Sequence, residues 1–273
     1  MHTRPIPSTG EQIPIIGLGT WQTFDVGRNA SQLAVLAKII HTFVQEGGSL
    51  IDASPMYGTA EQVVGELAGR LGITQQLFMA TKVWTTGKEA GVQQMEASMQ
   101  KMNAQPMDLM QVHNLVDYRT QLATMEEWKL EGKIRYTGIT HHTEMWHDAV
   151  EEVMQKYPID FIQINYSILL RGAANSLLPM AMDKGVAVIV NRPFEFGRLF
   201  KKVQQRPLPD WAKEFQIRTW GQFFLKYIIS HPAVTCVIPA TSSLTHLKEN
   251  MQAGKGDLPD EKTRQRMLQY FDA

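Results

Sequence analysis

Two kinds of segment alternate along the chain. Short apolar, β-branched runs are bounded by turn residues, and each is followed by a longer stretch in which apolar residues recur every three or four positions. The short runs occupy residues 13–17, 49–53, 77–82, 108–113, 136–140, 161–165, 186–190 and 234–238. Because strands that alternate with helices pair in parallel through right-handed crossovers, the pattern predicts an α/β fold with eight parallel strands.

The longer stretches have the spacing of amphipathic helices. Residues 29–45 present one apolar face and stop at Gly47 and Gly48, and residues 122–130 present another before a Glu-Gly-Lys turn. Residues 244–251 and 259–270 have helical spacing and follow the last predicted strand. We expect the apolar faces of these helices to pack on the outside of the sheet.

The length and the repeat interval together favour a closed barrel. The 273 residues allow one large or two modest domains at about 150 residues per domain. The later runs recur about every 30 residues, which suits one strand, one helix and two loops. A (β/α)8 TIM barrel has about 250 residues, so we predict a single barrel domain over residues 1–273. Residues 4–15 flank a Pro-Ser-Thr-Gly turn with apolar residues and predict an N-terminal β-hairpin that plugs the bottom of the barrel.

Composition and charge narrow the classes of partner. Hydrophobic residues make up 44% of the chain, which excludes a disordered protein. Basic and acidic residues both number 27, so no basic surplus exists for nucleic acid, and we expect none as a partner. The apolar run at residues 186–190 is far shorter than the roughly 18 residues of a membrane helix, which predicts a soluble protein.

The single cysteine and the N-terminal residues give an expectation for the cellular location of the protein. The one cysteine, Cys236, can form no internal disulfide and no Cys-x-x-Cys site. The first seven residues contain no apolar signal-like stretch, although a signal removed earlier would leave no trace. We therefore expect a cytoplasmic protein. Nothing in the helix faces predicts an oligomeric state.

Candidate chemistry lies at the carboxyl ends of the predicted strands, where barrels of this type build their active sites. Asp52, Lys82 and His113 end three successive runs, and Tyr57 lies on an adjoining loop. Each residue alone has an ordinary structural explanation, such as a helix cap, a surface charge or a core histidine. Their convergence on one mouth favours a functional site.

These four residue types suit proton donation to a carbonyl oxygen. A free tyrosine titrates near pH 10, but an ammonium about 4 Å away favours its phenolate by up to ~4 kcal/mol at an effective dielectric of 20. We therefore expect Lys82 to lower the pKa of Tyr57, with Asp52 keeping Lys82 charged. Tyr57 would then act as a general acid beside His113 while a reduced nicotinamide delivers hydride to the carbon.

Several motifs occur in order at these strand ends. Residues 51–58 read Ile-Asp-Ala-Ser-Pro-Met-Tyr-Gly, residues 80–84 read Ala-Thr-Lys-Val-Trp, and residues 109–114 read Leu-Met-Gln-Val-His-Asn. Further motifs are Gly-Leu-Gly-Thr-Trp at residues 17–21 and Val-Ile-Pro at 237–239, with Glu249 and Asn250 beyond. Together they resemble the aldo-keto reductase family, whose aspartate and tyrosine lie five positions apart. The resemblance covers nearly the whole chain.

The resemblance implies an enzyme that reduces aldehydes or ketones to alcohols with NAD(P)H and without a metal. NADPH is the expected cofactor, with NADH possible, and the partner is a small-molecule carbonyl substrate. By the same resemblance the catalytic residues are Asp52, Tyr57, Lys82 and His113, and the substrate-binding residues are Trp21, Tyr57, Trp84 and His113. The cofactor-binding residues are Gly19, Thr20, Trp21, Asp52, Thr140, Gln163, Asn191, Arg192, Pro193, Gly197, Thr241, Ser242, His246, Glu249 and Asn250.

The chain also departs from the family pattern. His141 stands where an asparagine is typical, and Asn191 replaces the aromatic residue that stacks on the nicotinamide ring. Ala240 and His246 stand where many members carry lysine and arginine around the adenosine phosphate, which weakens the expected NADPH preference. His141, with His142 and His147, is interpreted as an exposed helix residue because no metal-binding spacing is present.

Two alternatives remain open from the sequence. A regulatory subunit of the same fold would bind the nucleotide with little or no turnover, and the fold does not separate it from an enzyme. A metal-free aldolase would use Lys82 to form a Schiff base, which requires a lowered lysine pKa that Asp52 opposes.

Overall fold

An eight-stranded parallel barrel with an N-terminal hairpin forms the protein in the computed structural model, which describes residues 1–273. The strands are β1 (Thr3–Pro5), β2 (Gln12–Pro14), β3 (Leu18–Gly19), β4 (Leu50–Asp52), β5 (Phe78–Val83), β6 (Met107–His113), β7 (Ile134–Thr140), β8 (Phe161–Asn165), β9 (Ala187–Asn191) and β10 (Val234–Val237). Strands β3 to β10 pair in sequence order, and parallel bridges join Ile16 to Val237 and Gly19 to Ala240. These bridges connect the first and last strands, which confirms the predicted (β/α)8 barrel.

Ten helices accompany the strands. They are α1 (Ala30–Gln45), α2 (Ala60–Leu71), α3 (Lys88–Met102), α4 (Tyr118–Leu130), α5 (His147–Lys156), α6 (Leu177–Lys184), α7 (Arg198–Lys202), α8 (Trp220–Ile229), α9 (Leu244–Ala253) and α10 (Glu261–Asp272). Helix α1 begins where the Asn29 side chain accepts a hydrogen bond from the backbone N–H of Gln32, within one residue of the predicted start. No helix combines the length and the apolar character needed to cross a membrane.

The N-terminal hairpin closes one end of the barrel. Strands β1 and β2 pair antiparallel, with Thr3 opposite Pro14 and Pro5 opposite Gln12. Ile6 and Ile13 are buried in the inner core together with side chains of the barrel strands, such as Phe161. The hairpin therefore plugs the barrel as predicted.

The first barrel strand differs from its prediction. The run at residues 13–17 spans the end of β2, and the barrel strand β3 comes only at Leu18–Gly19. One continuous apolar run serves both the hairpin and the barrel, so the pattern of apolar residues could not separate the two. The other seven predicted strands match the observed strands to within two residues at each end. The largest difference is at β7, which starts at Ile134, two residues before the predicted start.

Two cores hold the barrel together. The inner core fills the barrel, and a larger core of 66 buried residues lies between the strands and the surrounding helices. Gly65 allows α2 to approach α3 closely, because a Cβ at this position would lie 2.1 Å from the backbone oxygen of Lys101. This packing fixes the strands whose carboxyl ends carry the candidate site.

Candidate active site

A cleft of about 470 Å³ opens at the carboxyl ends of the strands. Its volume is in the range of small-molecule sites in proteins. Predicted site residues that line it are Gly19, Thr20, Trp21, Asp52, Tyr57, His113, Thr140, Gln163, Asn191, Arg192, Pro193 and Gly197. These predicted residues come from six of the eight barrel strands or from the loops that follow them, and they converge on one cavity.

A buried ion pair forms the base of the cleft. The ammonium of Lys82, which is fully buried, donates hydrogen bonds to both carboxylate oxygens of Asp52 at 2.8 and 2.7 Å and to the carbonyl oxygen of Ala53 at 2.7 Å. The side-chain amides of Gln163 and Gln111 also donate to Oδ1 of Asp52, at 2.8 and 3.3 Å. All three hydrogens of the ammonium have acceptors, as a buried charge requires.

The environment of Lys82 favours its charged form. Burial opposes the charge, but the carboxylate of Asp52 and the hydroxyl of Tyr57 together outweigh burial and raise the pKa of Lys82. A lysine that attacks a carbonyl to form a Schiff base must be unprotonated and free. The structure therefore disfavours the aldolase alternative.

Tyr57 lies directly beside this ion pair. The ammonium nitrogen of Lys82 is 5.1 Å from the centre of the Tyr57 ring. Burial is the largest influence and raises the pKa of Tyr57 above its ordinary value, while Lys82 acts in the opposite direction and Asp52 adds to the rise. The predicted net lowering of the Tyr57 pKa is therefore wrong, because the prediction counted the ammonium and omitted desolvation. Tyr57 is a protonated phenol at neutral pH.

His113 completes the group from the end of β6. Its ring meets the Tyr57 ring edge to face, with 5.9 Å between the ring centres. Burial, with the nearby charge of Lys82, lowers the pKa of His113 to about 2. The imidazole is therefore neutral at physiological pH. Nδ1 of His113 lies 3.0 Å from the hydroxyl of Ser54, which is also buried.

The wall of the cleft after β9 carries a cation. The guanidinium of Arg192 stacks on the Phe196 ring at 4.4 Å, and that ring contacts Trp21 with 5.3 Å between the centres. Arg192 makes one hydrogen bond within the protein, from Nη1 to the carbonyl oxygen of His142 at 3.1 Å. Arg192 and Phe196 both have positive φ, so an irregular turn presents them to the cleft.

The histidines after β7 are not exposed helix residues, and that interpretation was wrong. His141 and His147 are buried, and His142 lines the cleft. The His141 ring stacks between those of His142 and Trp146, with 5.1 and 4.9 Å between centres. His141 and His142 lie in the loop after β7, and His147 is the first residue of α5, where its ring is within hydrogen-bond distance of Asn165, so the interpretation as exposed helix residues misplaced their side chains.

The predicted adenosine-binding residues lie outside the cleft, around the first turn of α9. Thr241 is buried and accepts a hydrogen bond from the backbone N–H of Ser243 at 3.0 Å. Ser242 and His246 are exposed, and Glu249 and Asn250 follow along the helix. Trp84, predicted to contact substrate, is also outside the cleft lining, exposed, with its ring centre 6.4 Å from that of His113.

The residues that were assigned a catalytic or binding role from the sequence do not include the whole lining of the cleft or its supporting network. The additional lining residues are Gln22, Thr23, Met56, Asn114, His142, Phe194, Phe196, Phe200, Ile238 and Ala240. Outside the cleft lining, Gln111 hydrogen-bonds to Asp52 and Ser54 hydrogen-bonds to His113. Gln111 could have been found, because it lies two positions before His113 and side chains alternate along a strand.

A sequence model of the Aldo/keto reductase family matches residues 15–266, which is most of the chain. The chain belongs to this family. Methylglyoxal reductase YeaE of Escherichia coli is 26% identical over 258 residues, covering 92% of this chain and 89% of that protein. An NADH-specific methylglyoxal reductase of the same organism is 28% identical over 261 residues, covering 84% and 78%.

Solved structures of family members share the fold. An aldo-keto reductase from Klebsiella pneumoniae in complex with NADPH superimposes with a TM-score of 0.82 at 24% identity, covering 99% of this chain and 96% of that one. Family membership confirms that the protein is an oxidoreductase that reduces carbonyl compounds with NAD(P)H. The predicted resemblance and the predicted fold are confirmed with it.

Proposed function

We propose that this aldo-keto reductase reduces small aldehydes and ketones with NADPH, using Tyr57 as the proton donor. The observation that carries the proposal is the buried Asp52–Lys82 pair, which lies against Tyr57 and next to His113 at the base of an open cleft. Tyr57 is protonated at neutral pH and can release its proton beside a fixed cation. General acid catalysis needs this combination.

Each residue of the group has a separate role. Tyr57 gives its hydroxyl proton to the substrate oxygen, and the resulting phenolate is stabilised by the ammonium of Lys82. Asp52 keeps Lys82 charged and in place. His113 is neutral and lines the cleft, where it orients the carbonyl through a hydrogen bond.

The cleft fits a nicotinamide nucleotide, which supplies the hydride when bound. The side-chain oxygen of Asn191 is buried without a hydrogen-bond partner, and a carboxamide N–H would satisfy it. The guanidinium of Arg192 has spare N–H groups that suit a phosphate. The other predicted cofactor residues of the cleft are Gly19, Thr20, Trp21, Thr140, Gln163, Pro193 and Gly197.

The adenosine end suits NADPH with a modest preference over NADH. Ser242, just before α9, and His246, in its first turn, are exposed, with Thr241, Glu249 and Asn250 close in sequence. Helix N-termini favour phosphate, and the ring of His246 can donate a further hydrogen bond to it. Family members differ in their cofactor, since one relative is an NADH-specific enzyme and one structural neighbour was solved with NADPH.

The substrate proposal rests on the relatives and on the open cleft. Two relatives are named methylglyoxal reductases, so we include small 2-oxoaldehydes among the carbonyl substrates. Exposed Trp21 and Met56 border the cleft and offer apolar contact at its entrance, which suits broad tolerance. Trp84, beside His113, is proposed to contact larger substrates.

The test is a panel of aldehydes, ketones and 2-oxoaldehydes, each assayed by nicotinamide absorbance with NADPH and with NADH. Binding of both nucleotides is measured on the same sample by quenching of tryptophan fluorescence. We expect turnover of several carbonyls and lower KM for NADPH. Tight nucleotide binding with no turnover on any carbonyl would instead support the regulatory-subunit alternative.

A further inference from the structure

Ser54 is a buried residue whose hydroxyl contacts the ring of His113 outside the lining of the cleft. It follows β4 and is fully buried, outside the lining of the cleft. Its hydroxyl oxygen lies 3.0 Å from Nδ1 of His113 and 3.3 Å from the backbone nitrogen of Met56. The residue therefore joins the loop that carries Tyr57 to the strand that carries His113.

The hydrogens of this small cluster can be assigned by counting donors and acceptors. The N–H of Met56 donates to the Ser54 oxygen, so that oxygen is already an acceptor. The hydroxyl has one hydrogen of its own, and Nδ1 of His113 is the acceptor within hydrogen-bond distance. If Nδ1 carried a hydrogen instead, the buried hydroxyl hydrogen would have no acceptor, which is unfavourable. Nδ1 is therefore the acceptor.

This assignment determines the other nitrogen of the ring. A neutral imidazole carries one hydrogen, so a lone pair at Nδ1 means that Nε2 bears the N–H. The ring is neutral because burial and the ammonium of Lys82 both disfavour its protonation. Nε2 makes no hydrogen bond within the protein, and His113 lines the cleft beside Tyr57. The free N–H is available to a ligand.

We propose that Ser54 is a positioning residue that holds His113 as the Nε2–H tautomer, so that the imidazole donates a hydrogen bond to the carbonyl oxygen of the substrate. The inference rests on the proposed function for its kinetic consequence. The opposite tautomer would turn a nitrogen lone pair toward the carbonyl oxygen and would oppose binding and reaction. Ser54 thus acts through His113 and touches no substrate.

The tautomer can be read directly by NMR. Protein labelled with 15N-histidine contains eight histidines, and the signals of His113 are identified by their loss in H113N. In the wild-type protein without substrate we expect the shifts of a neutral ring with an unprotonated Nδ1 and a protonated Nε2. A protonated Nδ1 in the wild type would overturn the proposal. This measurement needs no turnover, so it stands even if the proposed function fails.

The variants S54A and S54T separate tautomer control from packing. S54A removes the hydroxyl, so we expect a mixture of tautomers and a kcat/KM about tenfold lower, less than the 10²- to 10³-fold cost of losing an oxyanion donor outright. S54T keeps the hydroxyl and should restore both the spectrum and the activity. Nucleotide affinity should stay within about twofold in both variants, since Ser54 does not line the cleft.

A matched control is S98A. Ser98 is also buried, lies in α3, and its hydroxyl has no hydrogen-bond partner. We expect unchanged His113 signals and unchanged kcat/KM in S98A. A spectrum of S54A identical to that of the wild type, or a changed tautomer with unchanged kcat/KM, would overturn the role of Ser54.

Discussion

The two ends of the proposed nucleotide site are built differently. At the reacting end, Asp52, Lys82 and His113 extend from strand ends, are buried, and are fixed by hydrogen bonds. At the adenosine end, Ser242 just before α9 and His246 in its first turn are exposed to solvent.

The difference follows from the chemistry required at each end. Proton transfer depends on distances and charges that hold only in a rigid, water-poor environment, so its residues lie on strands in the core. Phosphate recognition works with exposed hydroxyls, N–H groups and cations, which surface loops can change without cost to the fold. The reacting end therefore has a recognisable residue set, and the adenosine end does not.

The largest expected effect tests the proton donor at the reacting end. Tyr57→Phe removes the hydroxyl and leaves the ring, so kcat should fall at least ~10²-fold, the usual cost of losing a general acid. Nucleotide dissociation constants, measured by tryptophan fluorescence, should change less than about threefold. A kcat within tenfold of the wild-type value would show that Tyr57 is not the proton donor.

The second prediction tests the ion pair. Lys82→Met should lower kcat by about 10- to 100-fold and leave Asp52 as an unpaired buried charge, with a loss of about 3–5 kcal/mol in the free energy of unfolding. The phenol must be protonated to act, so activity falls as pH rises through the pKa of Tyr57. Because Lys82 lowers that pKa, its removal should move the alkaline fall in activity to higher pH.

The double variant Asp52→Asn with Lys82→Met separates stability from catalysis. It contains no unpaired buried charge, so urea unfolding should show most of the lost stability restored. The low kcat should remain. Recovery of activity together with stability would mean that the pair has only a structural role.

The third prediction concerns the dependence of stability on pH. Folding lowers the pKa of His113 from about 6.5 to about 2, so below pH 6.5 the unfolded chain binds a proton that the folded protein does not. Stability is therefore lost as pH falls below 6.5, by up to ~1.4 kcal/mol per pH unit. Between pH 7 and pH 5 the free energy of unfolding of the wild type should fall by about 2 kcal/mol more than that of His113→Asn.

Urea unfolding of both proteins at the two pH values provides the measurement. Residues such as His231, whose pKa burial lowers to about 4, contribute equally to both proteins and cancel in the comparison. Parallel pH profiles for the two proteins would contradict a neutral, proton-excluding environment around His113.

The smallest expected effect lies at the adenosine end. His246 is exposed and its ring can donate a hydrogen bond to a phosphate, so His246→Ala should lower the affinity for NADPH relative to NADH by about two- to threefold and leave kcat unchanged. Lys248→Ala, an exposed residue two positions further along the same helix, is the control for a general effect of substitution there. Tighter binding of NADH than of NADPH by the wild-type protein would refute the NADPH preference.

The sequence predicted residues on regular strands better than residues on irregular loops. Seven of the barrel strands could be predicted because each is a short apolar run between turn residues, whereas β3 could not be separated from the hairpin. Asp52, Lys82 and His113 were found because they end strands. The placement of His142 and Phe196 in the cleft was not predictable, because irregular loops with no periodicity carry them.

The sequence by itself determined the barrel, its plugging hairpin and the placement of the candidate residues Asp52, Lys82 and His113, because periodicity and strand-end position are local properties of the chain. The tertiary structure alone decided the electrostatics. Whether Lys82 or burial dominates the pKa of Tyr57, and which nitrogen of His113 faces Ser54, depend on desolvation and on distances between residues far apart in sequence. No local pattern encodes those distances, since they arise only when the strands close into the barrel.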